Sequence, residues 1–260
     1  MKRHVPLAHS ALLAVVSLLA LNVASAAEWR VLPLVRDSRV ATAWQHVGFG
    51  RMIVNGDTIR THPDPRGLGL LVYTQETFGD CQLRIVYRPD ESNDNAGVHV
   101  RMDRGILDQI GRSDLIGVTR GANNALSETE AQKMAAASEQ ENGAWYAVHH
   151  GFEVQIMDTG AAFHRTGSLY SYAPAYTLPP ASADGWRTMI ITLHGTEILV
   201  ELDGKTLTRF DSATADVPPR DAWFAPKREP TRPTHGYIGL QTHDPGDIVH
   251  FKEVAIRPLD

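Results

Sequence analysis

The sequence predicts an all-β protein, a two-sheet antiparallel sandwich carrying one helical or looped insertion. Three observations predict it. Apolar and polar residues alternate through many short segments. Turn-forming Gly, Asp and Pro separate these segments at short, regular intervals, as in sandwich folds. The alternation stops in one place only, from about Asp103 to His150.

The strands follow in order. Residues 68–73, 82–87, 97–102 and 152–156 alternate and read as strands. Met189 to Leu193 and Glu197 to Leu202 form a pair joined at His194-Gly195-Thr196. Asp203-Gly204 is a tight-turn signal, with Leu207 to Phe210 as the return. Residues 237–241 and Val249 to Ile256 close the chain. Within the insertion, Ser127-Glu128-Thr129-Glu130 is a capping box, and Ala131 to Glu139 favours helix. The insertion has too few large apolar residues for a core of its own and is expected to act as a lid or rim.

The 260 residues, with 43% hydrophobic and 21% charged, are those of an ordinary globular chain. Residues 1–26 read as a secretory signal: Lys2 and Arg3, an apolar run from Ala11 to Leu21, then Ala24-Ser25-Ala26 at the cleavage site. That leaves a single domain over 27–260 with the insertion at about 103–150, in the bacterial periplasm or secreted. No second long apolar run follows, so no integral membrane segment is expected after signal removal. A lone cysteine, Cys81, excludes an intrachain disulfide and a cysteine zinc cluster. The net charge of −5 and scattered arginines exclude a phosphate-tracking surface, so nucleic acid is not an expected partner.

Candidate chemistry lies on one polar strand face. With Val98, Val100 and Met102 turned inward, Asn95, His99 and Arg101 turn outward. With Phe152, Val154 and Ile156 inward, Glu153 and Gln155 turn outward; with Ile238 and Leu240 inward, so do Gln241 and His243. Every half-exposed sheet has a polar face, and Glu153 with Arg101 could be a plain cross-strand ion pair. This face, however, carries imidazoles, a guanidinium, a carboxylate and carboxamides but no lysine, a set suited to gripping hydroxyls and moving protons. Phosphate loops, nucleophile elbows and His-Glu-x-x-His are absent, and the adjacent His149-His150 point apart along an extended chain.

Five segments in order carry a resemblance: Asn95 to Arg101, Gly151 to Asp158, Thr166 to Tyr170, Gly185-Trp186-Arg187 and Gly236 to His243, with Phe251 to Leu259 ending the chain. Together the sequence resembles the 3-keto-disaccharide hydrolase domain family over most of residues 28–260. Val86 stands where that family commonly has an acidic residue, and the insertion is longer than its usual form. The resemblance implies a concanavalin A-like jelly roll of the lectin/glucanase type. It also implies a small carbohydrate substrate, a glycoside oxidised at C3, cleaved by a hydrolase or lyase. The expected roles are Glu153 or His243 as base, Arg101 as oxyanion stabiliser and His99 as proton donor. Asn95, Gln155 and Gln241 would hold hydroxyls, and Asp158 would touch sugar or brace a turn. A divalent cation, if used, has Glu153 and His243 as its first ligands. The competing reading is a non-catalytic carbohydrate-binding module with Trp145, Tyr170, Tyr172 or Trp223 as platforms. A third is an envelope scaffold docking through the insertion.

Overall fold

The structure, a computed structural model, describes Met1 and residues 27–179 and 185–259. The signal segment, residues 2–26, lies outside the described residues. Three short strands open the fold: β1 (Arg30–Val31), β2 (Val35–Arg36) and β3 (Arg39–Val40). Then come β4 (Trp44–Gly48), β5 (Arg51–Asn55), β6 (Thr58–His62), β7 (Gly69–Phe78), β8 (Cys81–Pro89) and β9 (Ala96–Met102). The insertion holds α1 (Glu128–Glu139) and α2 (Trp145–His150). Six strands finish the chain: β10 (Phe152–Ile156), β11 (Arg187–His194), β12 (Glu197–Leu202), β13 (Lys205–Asp211), β14 (Gly236–Thr242) and β15 (Val249–Pro258).

Two antiparallel sheets face each other in a concanavalin A-like jelly-roll sandwich. One runs β13-β12-β11-β8-β15-β6-β5, with β1 also paired to β15; the other runs β10-β9-β14-β7-β4. Between them lie Ile85, Ile191, Val200 and Val254 from the first sheet and Leu71, Val98, Val154 and Leu240 from the second, all at most 3% exposed. Strand alternation produces this directly, because one face of each ribbon is apolar.

The outer face of the second sheet is covered too. Val47, Leu70, Val72 and Met102 pack there against Ile106, Ala144 and Ala147 of the insertion. The insertion is therefore a roof over this sheet. As the capping box predicts, the Ser127 hydroxyl accepts from the Glu130 N–H at 3.3 Å and starts α1. The box is half formed, since the Glu130 carboxylate turns to the Thr119 N–H and Lys133.

Met102 belongs to the outer cluster, not the inner one, and this corrects the reading of the 97–102 segment. Tyr237 pairs with Met102 and Gly239 with His99, so Val100 and Arg101 both oppose Ile238. The extra residue makes a β-bulge, with Arg101 at φ 55°. Past it the alternation changes phase. Arg101 turns inward, where its Nη2 donates to the carbonyls of Gly195 at 2.8 Å and Glu197 at 3.3 Å, in the turn and strand of the facing sheet. It staples one sheet to the other and is buried to 1% exposure.

The hairpin β5–β6 and strand β4 escaped the sequence reading. Their signal was present: Asn55-Gly56-Asp57 between two alternating segments is a hairpin turn. Among the described residues no helix is long and apolar enough to cross a membrane.

Candidate active site

The remaining outward residues of the second sheet form the floor of a cavity of about 310 Å³. Asn95, Glu153, Gln155, Gln241 and His243 line it; its walls include Arg120, Met134, Trp145, Tyr170 and Trp223. The floor follows from register: Glu153 lies opposite His99 and Gln155 opposite Gly97 on β9, while Gly239 of β14 also pairs with His99. β10 would be a bare sheet edge, but residues 166–170 close it. Tyr170 N–H donates to the Glu153 carbonyl and Gln155 N–H to the Ser168 carbonyl.

Glu153 is the centre of the floor. Its carboxylate Oε2 lies 3.6 Å from His99 Nε2, with the residue 8% exposed. Burial pushes its pKa up to about 7, against the opposing pull of His243 and a hydrogen bond from Gln241. Gly97 makes room for it: a Cβ there would sit 2.3 Å from Glu153 Oε1. Gly97→Ala must therefore displace the carboxylate, and a shift near 1 Å is expected to cost about 100-fold in rate with little change in Tm. Steady-state kinetics beside a thermal melt checks this; unchanged rates would detach Glu153 from the chemistry.

His99 shares the outward face with Glu153 but lies under α2 rather than in the cavity. It is 1% exposed, does not line the cavity, and burial holds its pKa down at about 3. A covered imidazole that does not line the cavity has no access to a leaving group there, so His99 does not fill the expected donor role. Its Nε2 is placed to accept from the Gln241 amide, whose Nε2 is 3.4 Å away.

Arg101 is also corrected. The bulge sends its guanidinium through the sandwich to Gly195 and Glu197, away from the cavity, so it cannot stabilise an oxyanion beside Glu153. The contacts of Asp158 are those of a turn brace. It accepts from Thr166 Oγ1 at 2.6 Å and from Arg187 Nη1 at 2.7 Å, and does not line the cavity.

His243 follows the end of β14, its side chain 29% exposed. Burial lowers its pKa, but Asp247 at 3.5 Å, Asp244 at 3.7 Å and Glu153 outweigh this and raise it. Asp247 is held in place by the Asp244 N–H at 2.9 Å. These acids escaped the sequence reading, although His243-Asp244-Pro245-Gly246-Asp247 is a turn that returns an acid toward the histidine.

Gln155 Nε2 donates to Asn95 Oδ1 at 2.7 Å. Gln155 Oε1 and Gln241 Oε1 are buried acceptors without partners, the groups that sugar hydroxyls would satisfy. Among the described residues no three His, Cys, Asp or Glu side chains converge to hold a metal, so a divalent cation held by Glu153 and His243 would take the carboxamide oxygens of Gln155 and Gln241 as its further ligands.

Of the expected aromatic platforms, Trp145, Tyr170 and Trp223 line the cavity, while Tyr172 is buried against Phe152 and Phe210. The insertion is tied to the His243 loop by Arg120, whose Nη2 meets Asp244 Oδ1 at 2.6 Å. His149 and His150 serve the roof: His149 meets Ser138 and Lys227, and His150 bridges Asp103 and Glu141.

A jelly-roll sandwich with a carboxyl–imidazole floor under a roofed, sugar-sized hollow defines a carbohydrate-active class of protein. More particularly, the chain belongs to the 3-keto-alpha-glucoside-1,2-lyase-like domain family, whose profile matches residues 28–257. Two solved structures share its fold, both from Parabacteroides distasonis ATCC 8503 and both provisionally designated glycosyl hydrolases. One is 18% identical with a TM-score of 0.55, covering 89% of this chain and 100% of that one. The other is 15% identical with a TM-score of 0.53, covering 86% and 91%. No curated protein matches the chain.

Proposed function

We propose that this protein is an exported lyase or hydrolase that cleaves glycosides carrying a ketone at sugar C3, with Glu153 as base and His243 as acid. The observation that supports this most is the buried Glu153 carboxyl with pKa about 7, set on the cavity floor beside a histidine whose Nδ1 lies 3.5 Å from the Asp247 carboxylate. Export is inferred from residues 1–26 alone.

The C3 ketone acidifies the C2 hydrogen. Glu153 takes that proton, and the electron pair moves onto the ketone oxygen as an enolate. With its Oδ1 held by Gln155, Asn95 offers its amide N–H groups to that oxygen, the part first expected of Arg101. Collapse of the enolate breaks the C1–O bond, and protonated His243 delivers a proton to the departing oxygen. The product is a C1=C2 unsaturated 3-keto sugar, and addition of water to it gives net hydrolysis. No carboxylate pair spaced for ordinary glycoside hydrolysis is required. Gln155 and Gln241 accept hydrogen bonds from ring hydroxyls.

The test is product analysis by mass spectrometry with native and C3-oxidised disaccharides. Cleavage of the oxidised set alone is expected, giving the unsaturated 3-keto sugar or, where water adds back across C1=C2, a hydrolysed sugar carrying solvent deuterium at C2. Cleavage of native disaccharides at comparable rates, or retention of glycans without turnover, would defeat the proposal; the second result would favour a binding module.

A further inference from the structure

The cavity has two unlike halves. Its floor is polar, as described. Its far wall, from the insertion and residues 223–224, is apolar: Leu126, Met134, Trp145, Val148, Trp223 and Phe224. Four of them belong to an apolar cluster separate from the sandwich core: Trp145 and Val148 pack with Met134 and Trp223. Phe224 is 41% exposed, an uncovered large ring at the cavity rim.

The rings do not form a flat platform. Trp145 and Trp223 meet at 60° with centroids 5.6 Å apart, and Trp223 and Phe224 at 82° and 5.4 Å. They make a corner rather than a surface on which a second pyranose could lie. Arg120, the one charged side chain that the insertion brings to the cavity, is engaged by Asp244 and the carbonyls of Pro65 and Asn124. A second sugar placed there would bring several hydroxyls against aliphatic and aromatic carbon, leaving them without the partners that water supplies. An apolar group would instead bury this surface favourably.

We infer that the group on C1 is apolar, an aryl or alkyl aglycone seated in the Trp145–Trp223–Phe224 corner while the oxidised sugar occupies the floor. The inference rests on the proposed function in taking the floor for the sugar's half. It makes the insertion and the 223–224 segment together the determinant of leaving-group specificity.

Two leaving groups of matched basicity test it, benzyl alcohol and the 6-hydroxyl of glucose, both primary alcohols. Each is attached to 3-oxo-glucose in both anomers. The benzyl compound is expected to show a kcat/KM at least about tenfold higher, mainly through KM. Phe224→Ser, at an exposed position, is expected to collapse that ratio without lowering Tm. In a second measurement, tryptophan fluorescence is titrated with unoxidised benzyl glucoside and with the 6-linked diglucoside; the benzyl compound is expected to saturate at lower concentration.

The two readings fail separately. Equal or better turnover of the diglucoside, with the ratio unchanged in Phe224→Ser, overturns the apolar aglycone and leaves 3-keto cleavage standing. Absence of turnover on every oxidised substrate, with tighter binding of benzyl glucoside intact, removes the proposed reaction and keeps the apolar subsite. No preference in either measurement overturns the inference.

Discussion

Glu153→Gln is expected to lower kcat/KM on a 3-keto glycoside by about 10²- to 10⁴-fold, the usual contribution of a positioned general base. The amide keeps the shape and the contact to His99 but cannot accept the C2 proton. In the wild type, activity should rise as pH increases through about 7, where Glu153 ionises. It should fall again where His243, whose pKa is raised, loses its proton. Because the two groups act on each other, the limbs of this bell belong to the pair. The variant should lose the acidic limb. Equal rates in both proteins, or an intact acidic limb in the variant, would sink the assignment.

The same substitution has a signature in stability. The native pKa of Glu153 lies above that of an unfolded glutamate, so between about pH 4.5 and 7 the native state holds a proton that the unfolded chain releases. Native stability from this group therefore falls as pH rises through that window, and above it the buried charge is a standing cost. Glu153→Gln carries no such cost. Its Tm should exceed that of the wild type by more at pH 8 than at pH 5, by differential scanning calorimetry. A Tm difference independent of pH would mean that the carboxyl is not desolvated.

The second large effect is on folding. Asp158→Ala removes the acceptor of both Thr166 and Arg187 and leaves the guanidinium buried beside Tyr87. Breaking one partner out of such a pair costs roughly 3–5 kcal/mol. In a domain of this size that is on the order of 10 °C in Tm. Asp158→Asn, which keeps an acceptor oxygen, should lose less. If Asp158 instead held sugar, Tm would stay put and KM would rise, and the bracing role would be wrong.

Most of the fold was legible because alternation carries two facts at once, strand identity and facing. Phe152, Val154 and Ile156 had to point together, so Glu153 and Gln155 had to point the other way. The same logic put Gln241 opposite Ile238 and Leu240. It failed at Arg101, one residue past a point where counting by two stops working. A bulge leaves little mark in composition, and Arg at φ 55° gives no hint of itself as Gly would. His99 was assigned the correct face but the wrong depth. Facing follows from parity along one strand; depth depends on what covers the sheet, and α2 with its neighbours covers His99.

The sequence by itself determined the sandwich, the two sides of its ribbons, the helix that begins at Ser127, and membership of a carbohydrate-active family. All of these depend on local order: period, turn residues and motif succession. Only the tertiary structure decided which polar side chains share one hollow, that Asp247 backs His243, and that Trp145, Trp223 and Phe224 close an apolar corner above Glu153. Those groups are far apart along the chain. Their meeting depends on strand order, on one bulge and on how the insertion folds back, and no short stretch of residues encodes these.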